Sequence, residues 1–355
     1  MQRYDILVVG AGPAGSSAAR EAAKAGCRVL MVEKKMRIGL PVQCAEYIAR
    51  LLLAESRISS DSVIQGIDSM VTHLPDGGTA VTRSPGYMID RAAFDRELAA
   101  SAQDVGAEVL VNTRCVSRSD AGVLLKRGGE KIVVASRVII GADGARSTVG
   151  EWMGSTNEDF ITGLQYALPL KEPLENTEVY FRQELFGGYG WLFPKGGVAN
   201  VGIGVKRRSV AGASESMQMM LDAFANQLES AGRVRNVPVS VTGGSIPVGG
   251  PLASVKGDMM LVGDAAGQTD AITGGGVPQA VICGRMAGKA AARAVLEDDT
   301  DILMDYEREW QGLYGRALRN ALEKRHLLES RWGELESAIK KYWVAFEGHC
   351  DARTR

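Results

Sequence analysis

Apolar residues follow two rhythms along this 355-residue chain. Near the N-terminus they come in unbroken runs, Ile6-Leu7-Val8-Val9 and Val29-Leu30-Met31-Val32. Such runs predict strands buried on both faces of a parallel sheet. Between them Gly10-Ala11-Gly12-Pro13-Ala14-Gly15 marks a turn, and the Ala-rich stretch from Ser16 to Ala25 predicts a helix. A loop broken by Gly39 and Pro41 precedes a helix expected over 47–57. Short strands are expected over 63–89, around the turn Pro75-Asp76-Gly77-Gly78. Asp90 is placed to cap a helix from Arg91 to about Val105, where Gly106 stops it. Strands follow near 108–111, 121–127 and 131–140.

From roughly 155 to 250 the rhythm becomes alternation, in Gly163–Leu170, Glu178–Arg182, Gly190–Phe193 and Ala199–Val205. Alternation predicts an antiparallel sheet with one face turned outward, and a helix is expected over 214–230. Unbroken apolar residues return in Asp258-Met259-Met260-Leu261-Val262, followed by a helix over 276–294. The stretch 301–345 is helical and charged. Trp310, Leu313, Ala317, Ala321 and Leu328 keep helical spacing there, and Trp332, Leu335, Ile339 and Trp343 continue it. This spacing predicts helices packed on the core; an apolar face that guides a greasy substrate or touches a membrane surface is the sharper alternative.

The first motif decides the class of chemistry. A strand runs into Gly-x-Gly-x-x-Gly, a helix follows, and a second strand ends on Glu33, 18 positions beyond Gly15. That order is a dinucleotide-binding βαβ unit. Gly10 permits the tight turn, Gly12 lets backbone approach a pyrophosphate, and Gly15, after Ala14, lets helix and strand pack closely. The helix start offers N–H groups to phosphate, and Glu33 can accept from ribose hydroxyls. The fold class is therefore α/β, with an antiparallel sheet inserted into the nucleotide-binding unit and helices at the C-terminal end.

Composition narrows the partners. The net charge is −1, which gives no pull on nucleic acid or anionic lipid. Five scattered cysteines, Cys27, Cys44, Cys115, Cys283 and Cys350, have neither zinc-ligand nor Cys-x-x-Cys spacing. His73, His326 and His349 are far apart, so no metal site is expected. No apolar run reaches the 18 or so residues of a membrane span, and the N-terminus reads as a strand rather than a signal peptide. The expectation is a cytoplasmic protein, with contact at the membrane surface as an option.

Two more motifs specify the nucleotide. Val138-Ile139-Ile140 runs into Gly141-Ala142-Asp143-Gly144-Ala145-Arg146-Ser147. Leu261-Val262 runs into Gly263-Asp264-Ala265-Ala266-Gly267, with Thr273-Gly274-Gly275-Gly276 beyond it. Asp264 can accept from ribityl hydroxyls, and the turn Gly275-Gly276-Val277 brings N–H groups and a helix start toward a flavin ring. Together the three motifs resemble those of the p-hydroxybenzoate hydroxylase superfamily of FAD-dependent oxidoreductases. The resemblance implies a Rossmann-like FAD-binding domain in two parts, 1–155 and 255–300. An antiparallel-sheet substrate domain over 156–254 would be joined by the strands of 63–89, and a helical region would cover 301–355. It also implies that Arg91 reaches the cofactor, that Cys115 lies against adenine through its backbone, and that Asp143 belongs to the FAD site.

A narrower resemblance rests on Pro41-Val42-Gln43-Cys44-Ala45-Glu46 and on Tyr189-Gly190-Trp191-Leu192-Phe193-Pro194, which are similar to segments of the geranylgeranyl reductase family of archaeal lipid synthesis. Ala45 stands where the family usually has glycine, and Ala271 where a proline is common. The resemblance implies saturation of isoprenoid chains of membrane lipids or their precursors by reduced FAD. Such a reaction delivers hydride to one alkene carbon and a proton to the other. Cys44 is the candidate catalytic residue, Cys44 and Ala45 line the flavin, and Tyr189, Trp191 and Phe193 wall a channel for a prenyl lipid. The electron donor, ferredoxin, NAD(P)H or another reduced carrier, is left open. The rival readings are a flavin monooxygenase of an aromatic or polyprenyl substrate and an electron-transfer flavoprotein.

Overall fold

A computed structural model describes residues 2–50, 52, 60–206 and 216–346. Two sheets carry the architecture. The first contains strands β1 (Gln2–Val9), β2 (Val29–Val32), β6 (Glu108–Leu110), β7 (Thr113–Ser119), β8 (Gly122–Arg127), β9 (Glu130–Gly141), β15 (Val255–Lys256) and β16 (Met259–Leu261). Its main order is β15-β16-β9-β1-β2-β6, with β8 pairing the first half of β9. β1, β2, β6, β9 and β16 run parallel. Ile6 to Val9 and all of β2 are buried, as the unbroken apolar runs require.

Helix α1 (Pro13–Lys24) starts with proline in its first turn and presents Ala14, Ala18 and Ala22 to the interior. It packs on a later helix, Val277–Leu296, which carries glycine where the two backbones meet. A Cβ on Gly284 would lie 2.4 Å from the Ala14 carbonyl oxygen, and one on Gly288 would lie 2.2 Å from that of Ala18. The N-terminal βαβ unit and the distant 263–296 segment are thus pressed together backbone to backbone. Helix α2 (Arg91–Gln103) opens where expected, with the Asp90 carboxylate accepting from Ala93 N–H at 2.9 Å. Helix α3 (Thr148–Met153) is capped in the same way by Ser147.

The second sheet has the order β14-β10-β13-β12-β11-β4-β5-β3. Its strands are β3 (Tyr47–Ala49), β4 (Val63–His73), β5 (Thr79–Ile89), β10 (Phe160–Pro169), β11 (Asn176–Tyr180), β12 (Gly190–Lys195), β13 (Val198–Val205) and β14 (Ser240–Pro247). One face is covered by helix α4 (Met217–Ser230), whose Leu221, Phe224 and Leu228 meet Leu168, Leu192, Val201 and Ile203. The other face, with Ile161, Val179 and Ile246, packs against Ala271, Ile272 and the C-terminal residues Leu328, Trp332 and Leu335. The chain then continues through α5 (Val277–Leu296), α6 (Leu303–Trp310), α7 (Arg316–Ser330) and α8 (Leu335–Tyr342).

Several expectations are corrected. Residues 47–49 form a strand on β5 rather than a helix, because Gly86 leaves room for Tyr47 and the Ile48 carbonyl; residues 51 and 53–57 of that expected helix lie outside the described residues. The second sheet is not wholly antiparallel: β11 runs parallel to β4, with Glu178 opposite Val71. The strands of 63–89 are not short, since β4 and β5 have 11 residues each. The C-terminal stripe is buried as expected at Trp310, Ala321, Leu328, Trp332, Leu335, Ile339 and Trp343 but fails at two positions. A π-helical turn over Gln311–Gly315 rotates the helix, so Leu313 and Ala317 face solvent while Tyr314, Leu318, Ala321 and Leu328 turn inward.

Candidate active site

Four parallel strands of the first sheet end at one edge, and each end is followed by a motif residue. Register places Val9 beside Val32 and Gly141, and Gly141 beside Leu261. Gly10, Glu33, Asp143 and Asp264 are therefore brought to one rim, the place where open α/β sheets bind ligands. Gly10 has φ 102°, and a Cβ there would lie 2.3 Å from the Ala142 carbonyl oxygen. Gly12 faces open space, with no atom within 4 Å of a Cβ built on it.

Two helix starts at this rim lack a capping side chain, α1 after Gly12 and α5 after Gly276. Helices α2, α3 and α4 are each capped by Asp90, Ser147 or Ser216. The first N–H groups of α1 and α5 are thus left for an anionic ligand. Buried Glu33 accepts from Ala11 N–H and Lys35 N–H, both at 2.9 Å, which fixes its carboxylate across the strand ends. An open glycine, two uncapped helix starts and a fixed acid fit a dinucleotide of the FAD type.

The other predicted positions differ in what they touch. Asp143 spends its carboxylate on Ser147 Oγ at 2.5 Å and Thr148 N–H at 2.7 Å, so it holds the start of α3. Burial pushes the Cys115 thiol up to about 12, with the Asp143 charge adding to the shift, and its side chain lies in the core of the first sheet. Asp264 accepts from Thr269 Oγ1 at 3.1 Å and lies against Gly276. Burial raises its carboxyl above the ordinary value, against the Thr269 hydroxyl and the Arg91 charge. Arg91 is fixed by Asp95, Nε to Oδ1 at 2.7 Å. Burial alone would lower its pKa, but Asp95 and a hydrogen bond to Cys44 outweigh that and raise it.

Loop 41–46 crosses from this rim to the face of the second sheet opposite α4. Gln43 Nε2 donates to the Gly243 carbonyl at 2.7 Å, Thr242 Oγ1 to that of Val42 at 2.5 Å, and Gln165 Nε2 to that of Cys44 at 3.3 Å. Ala45 is held through its carbonyl by Asn200 Nδ2 at 3.1 Å. On the same face the Trp191 indole lies over Gly202, and its N–H donates to Gln165 Oε1 at 2.8 Å. Tyr189 donates to the Thr273 carbonyl at 2.5 Å, just before Gly275 and Gly276. Phe193 sits further along, edge-on to Tyr47 with centroids 6.3 Å apart. A small apolar cavity remains between Ile161, Tyr189, Trp191, Ile246 and Ile272.

Sequence reasoning missed the polar groups that tie these pieces together. Gln165 and Asn200 are buried in otherwise apolar strands, and that interruption of the alternation was the available signal. Buried Arg325 of α7 donates to the Ala271 and Gly187 carbonyls at 2.7 and 2.8 Å; its helical register with Leu318, Ala321 and Leu328 marked it as inward-facing.

Known proteins resemble this chain in both sequence and structure. Residues 159–246 match the model of the geranylgeranyl reductase catalytic domain, and residues 5–142 match that of FAD dependent oxidoreductase. The chain is 36% identical over 354 residues to digeranylgeranylglycerophospholipid reductase 2 of Methanopyrus kandleri, covering 95% of this chain and 89% of that one. It is 38% identical to digeranylgeranylglycerophospholipid reductase of Methanothrix thermoacetophila, covering 90% and 86%. The chain belongs to the geranylgeranyl reductase family. It is an FAD-dependent oxidoreductase. In structure it is similar to a geranylgeranyl bacteriochlorophyll reductase-like protein of Thermoplasma acidophilum, with TM-score 0.85, 27% identity and coverage of 99% and 94%. A flavin-dependent brominase at 17% identity and TM-score 0.73, covering 95% and 91%, shares the fold alone. Gln165 joins the loop with Cys44 to the segment Tyr189–Phe193, through the Cys44 carbonyl and the Trp191 indole.

Proposed function

We propose that this flavoprotein saturates double bonds of geranylgeranyl chains in membrane lipids or their precursors. Along the rim of the first sheet, Gly12, Ala14 and Gly15 would hold the pyrophosphate of FAD and Glu33 its ribose. The far corner is Asp264, Gly275, Gly276 and Val277, with Arg91, Cys44 and Ala45 beside it; Asp143 and Cys115 complete the adenine side. When bound and reduced, FAD would supply the hydride for the alkene. The second sheet, with β3 to β5, serves as the substrate domain.

An isolated alkene is a poor electrophile and has no charge to be recognised by. The protein's work is to hold it against the hydride source, exclude water and present a proton. Tyr189, Trp191 and Phe193 supply an apolar wall for the chain. The Cys44 sulfur accepts from Glu46 N–H at 3.2 Å and lies beside Arg91, and it is the atom assigned to pass the proton to the alkene. The single observation that carries this reading is the bond from Tyr189 to Thr273, which sets the apolar wall beside the uncapped start of α5.

Among the described residues no helix is long and apolar enough to cross a membrane. The prenyl lipid is taken from the membrane surface or from a carrier, and electrons come from ferredoxin, NAD(P)H or another reduced carrier. The test is incubation of dithionite-reduced holoprotein with a phospholipid bearing geranylgeranyl chains, followed by mass spectrometry. Mass gains in steps of two hydrogens are expected, and Cys44→Ser is expected to keep FAD but slow them. An oxygenated product under air would favour the monooxygenase instead, and no change in any lipid would overturn the reductase reading.

A further inference from the structure

We infer that Glu46 is a positioning residue, whose buried carboxylate clamp holds the backbone turn that aims the Cys44 thiol into the active site. Glu46 has φ 71°, a left-handed conformation that L-residues adopt at a cost. Among the described residues only Asn112 and Asp298 share a positive φ without being glycine, and both are exposed. Glu46 is 4% exposed. This conformation turns the Glu46 N–H back onto Cys44 Sγ, at 3.2 Å.

The carboxylate is what holds it there. Lys195 Nζ donates to both oxygens at 2.8 Å, Asn200 Nδ2 to Oε2 at 2.9 Å, and Arg91 N–H to Oε1 at 3.0 Å. Lys195 ends β12, the strand that carries Trp191 and Phe193, and Asn200 lies on β13. Arg91 opens α2, and its guanidinium, held by Asp95, is the cation whose charge acts on Cys44. One side chain thus locks the thiol loop to the substrate sheet and to the helix that supplies the neighbouring cation. The Glu46 carbonyl accepts from Ile89 N–H at 3.0 Å and closes the turn on β5.

The idea rests on Cys44 being an active-site thiol, but its test needs no lipid, so failure of the lipid assignment would be seen separately. Alkylation of Cys44 by iodoacetamide is followed by peptide mass mapping in the FAD-loaded protein. The readout is the rate near neutrality divided by the rate where the thiol is fully ionised, which cancels access and reports the donors around sulfur. Glu46→Ala, which keeps the strained backbone and loses the clamp, is expected to lower this ratio about ten-fold. Glu46→Gly adopts the left-handed conformation freely, while Gln165 and Asn200 still hold the carbonyls of Cys44 and Ala45, so it is expected to restore the wild-type ratio. A wild-type ratio in Glu46→Ala overturns the inference. So does a ratio in Glu46→Gly as low as in Glu46→Ala, since the carboxylate would then act directly. Where Glu46→Ala does not retain FAD, Lys195→Gln decides: a lowered ratio supports the clamp and an unchanged one overturns it.

Discussion

Asp264 follows the fourth strand of the rim with one hydroxyl partner, Thr269, and among the described residues no cation is bonded to it. Burial therefore dominates, and its carboxyl titrates above the ordinary 3.8. The sign of the consequence follows from linkage. A folded carboxyl that keeps its proton to higher pH than the unfolded chain binds more protons across that window, so folding stability falls as pH climbs from about 4 through the raised value and is flat above it. FAD hydroxyls donating to Asp264 would favour the ionised form and oppose this trend. Apoprotein is expected to lose melting temperature relative to Asp264→Asn as pH rises through that window, and saturating FAD is expected to shrink the difference. Thermal melts of both proteins across pH, with and without FAD, check it; parallel apoprotein profiles would show that burial at this position has no energetic effect.

At the scale of elements, the contact between α1 and α5 decides whether the rim exists. Gly288→Ala would gain up to about 1 kcal/mol of helix propensity, yet its Cβ would sit 2.2 Å from a backbone oxygen that has no freedom to move aside. Overpacking of this kind costs about 1–3 kcal/mol, so the variant is expected to be destabilised on balance. Its FAD affinity is expected to fall as well, because α1 carries the pyrophosphate end. Denaturant unfolding and FAD titration read the two effects. This contact also shows what the sequence could and could not reveal. The strands and helices of the βαβ unit were legible because each motif is local: an apolar run, a glycine turn, an Asp90 cap. The packing of α5 on α1 joins residues more than 250 positions apart and leaves no local trace except two glycines in a helix. The strand at 47–49 was hidden for the same reason, since its partner Gly86–Met88 is remote. The π turn at 311–315 broke a spacing that presumes uniform helix. In the site, the glycine corners and the aromatic segment were visible by pattern, while Gln165, Asn200 and Lys195 act through partners that only the fold supplies.

For the whole molecule, the apolar cavity lies where three remote regions meet: β10 to β14, the 270–276 turn, and the C-terminal helices. Trp343 does not line it but backs Tyr189 with centroids 5.3 Å apart and donates to Thr72 Oγ1 at 3.0 Å. Trp191 lines it directly. The two tryptophans should therefore separate architecture from substrate fit. Trp343→Ala removes a fully buried indole and is expected to cost about 3–5 kcal/mol of stability, with any change in KM independent of prenyl chain length. Trp191→Ala enlarges the wall itself, over Gly202, and is expected to raise KM more for long chains than for short ones. A series of substrates with one to four prenyl units, assayed with both variants, distinguishes them. If the Trp191 variant showed no dependence on chain length, the cavity would be ordinary packing between the sheet and the helices, and the lipid would have to reach Cys44 from the side of loop 41–46.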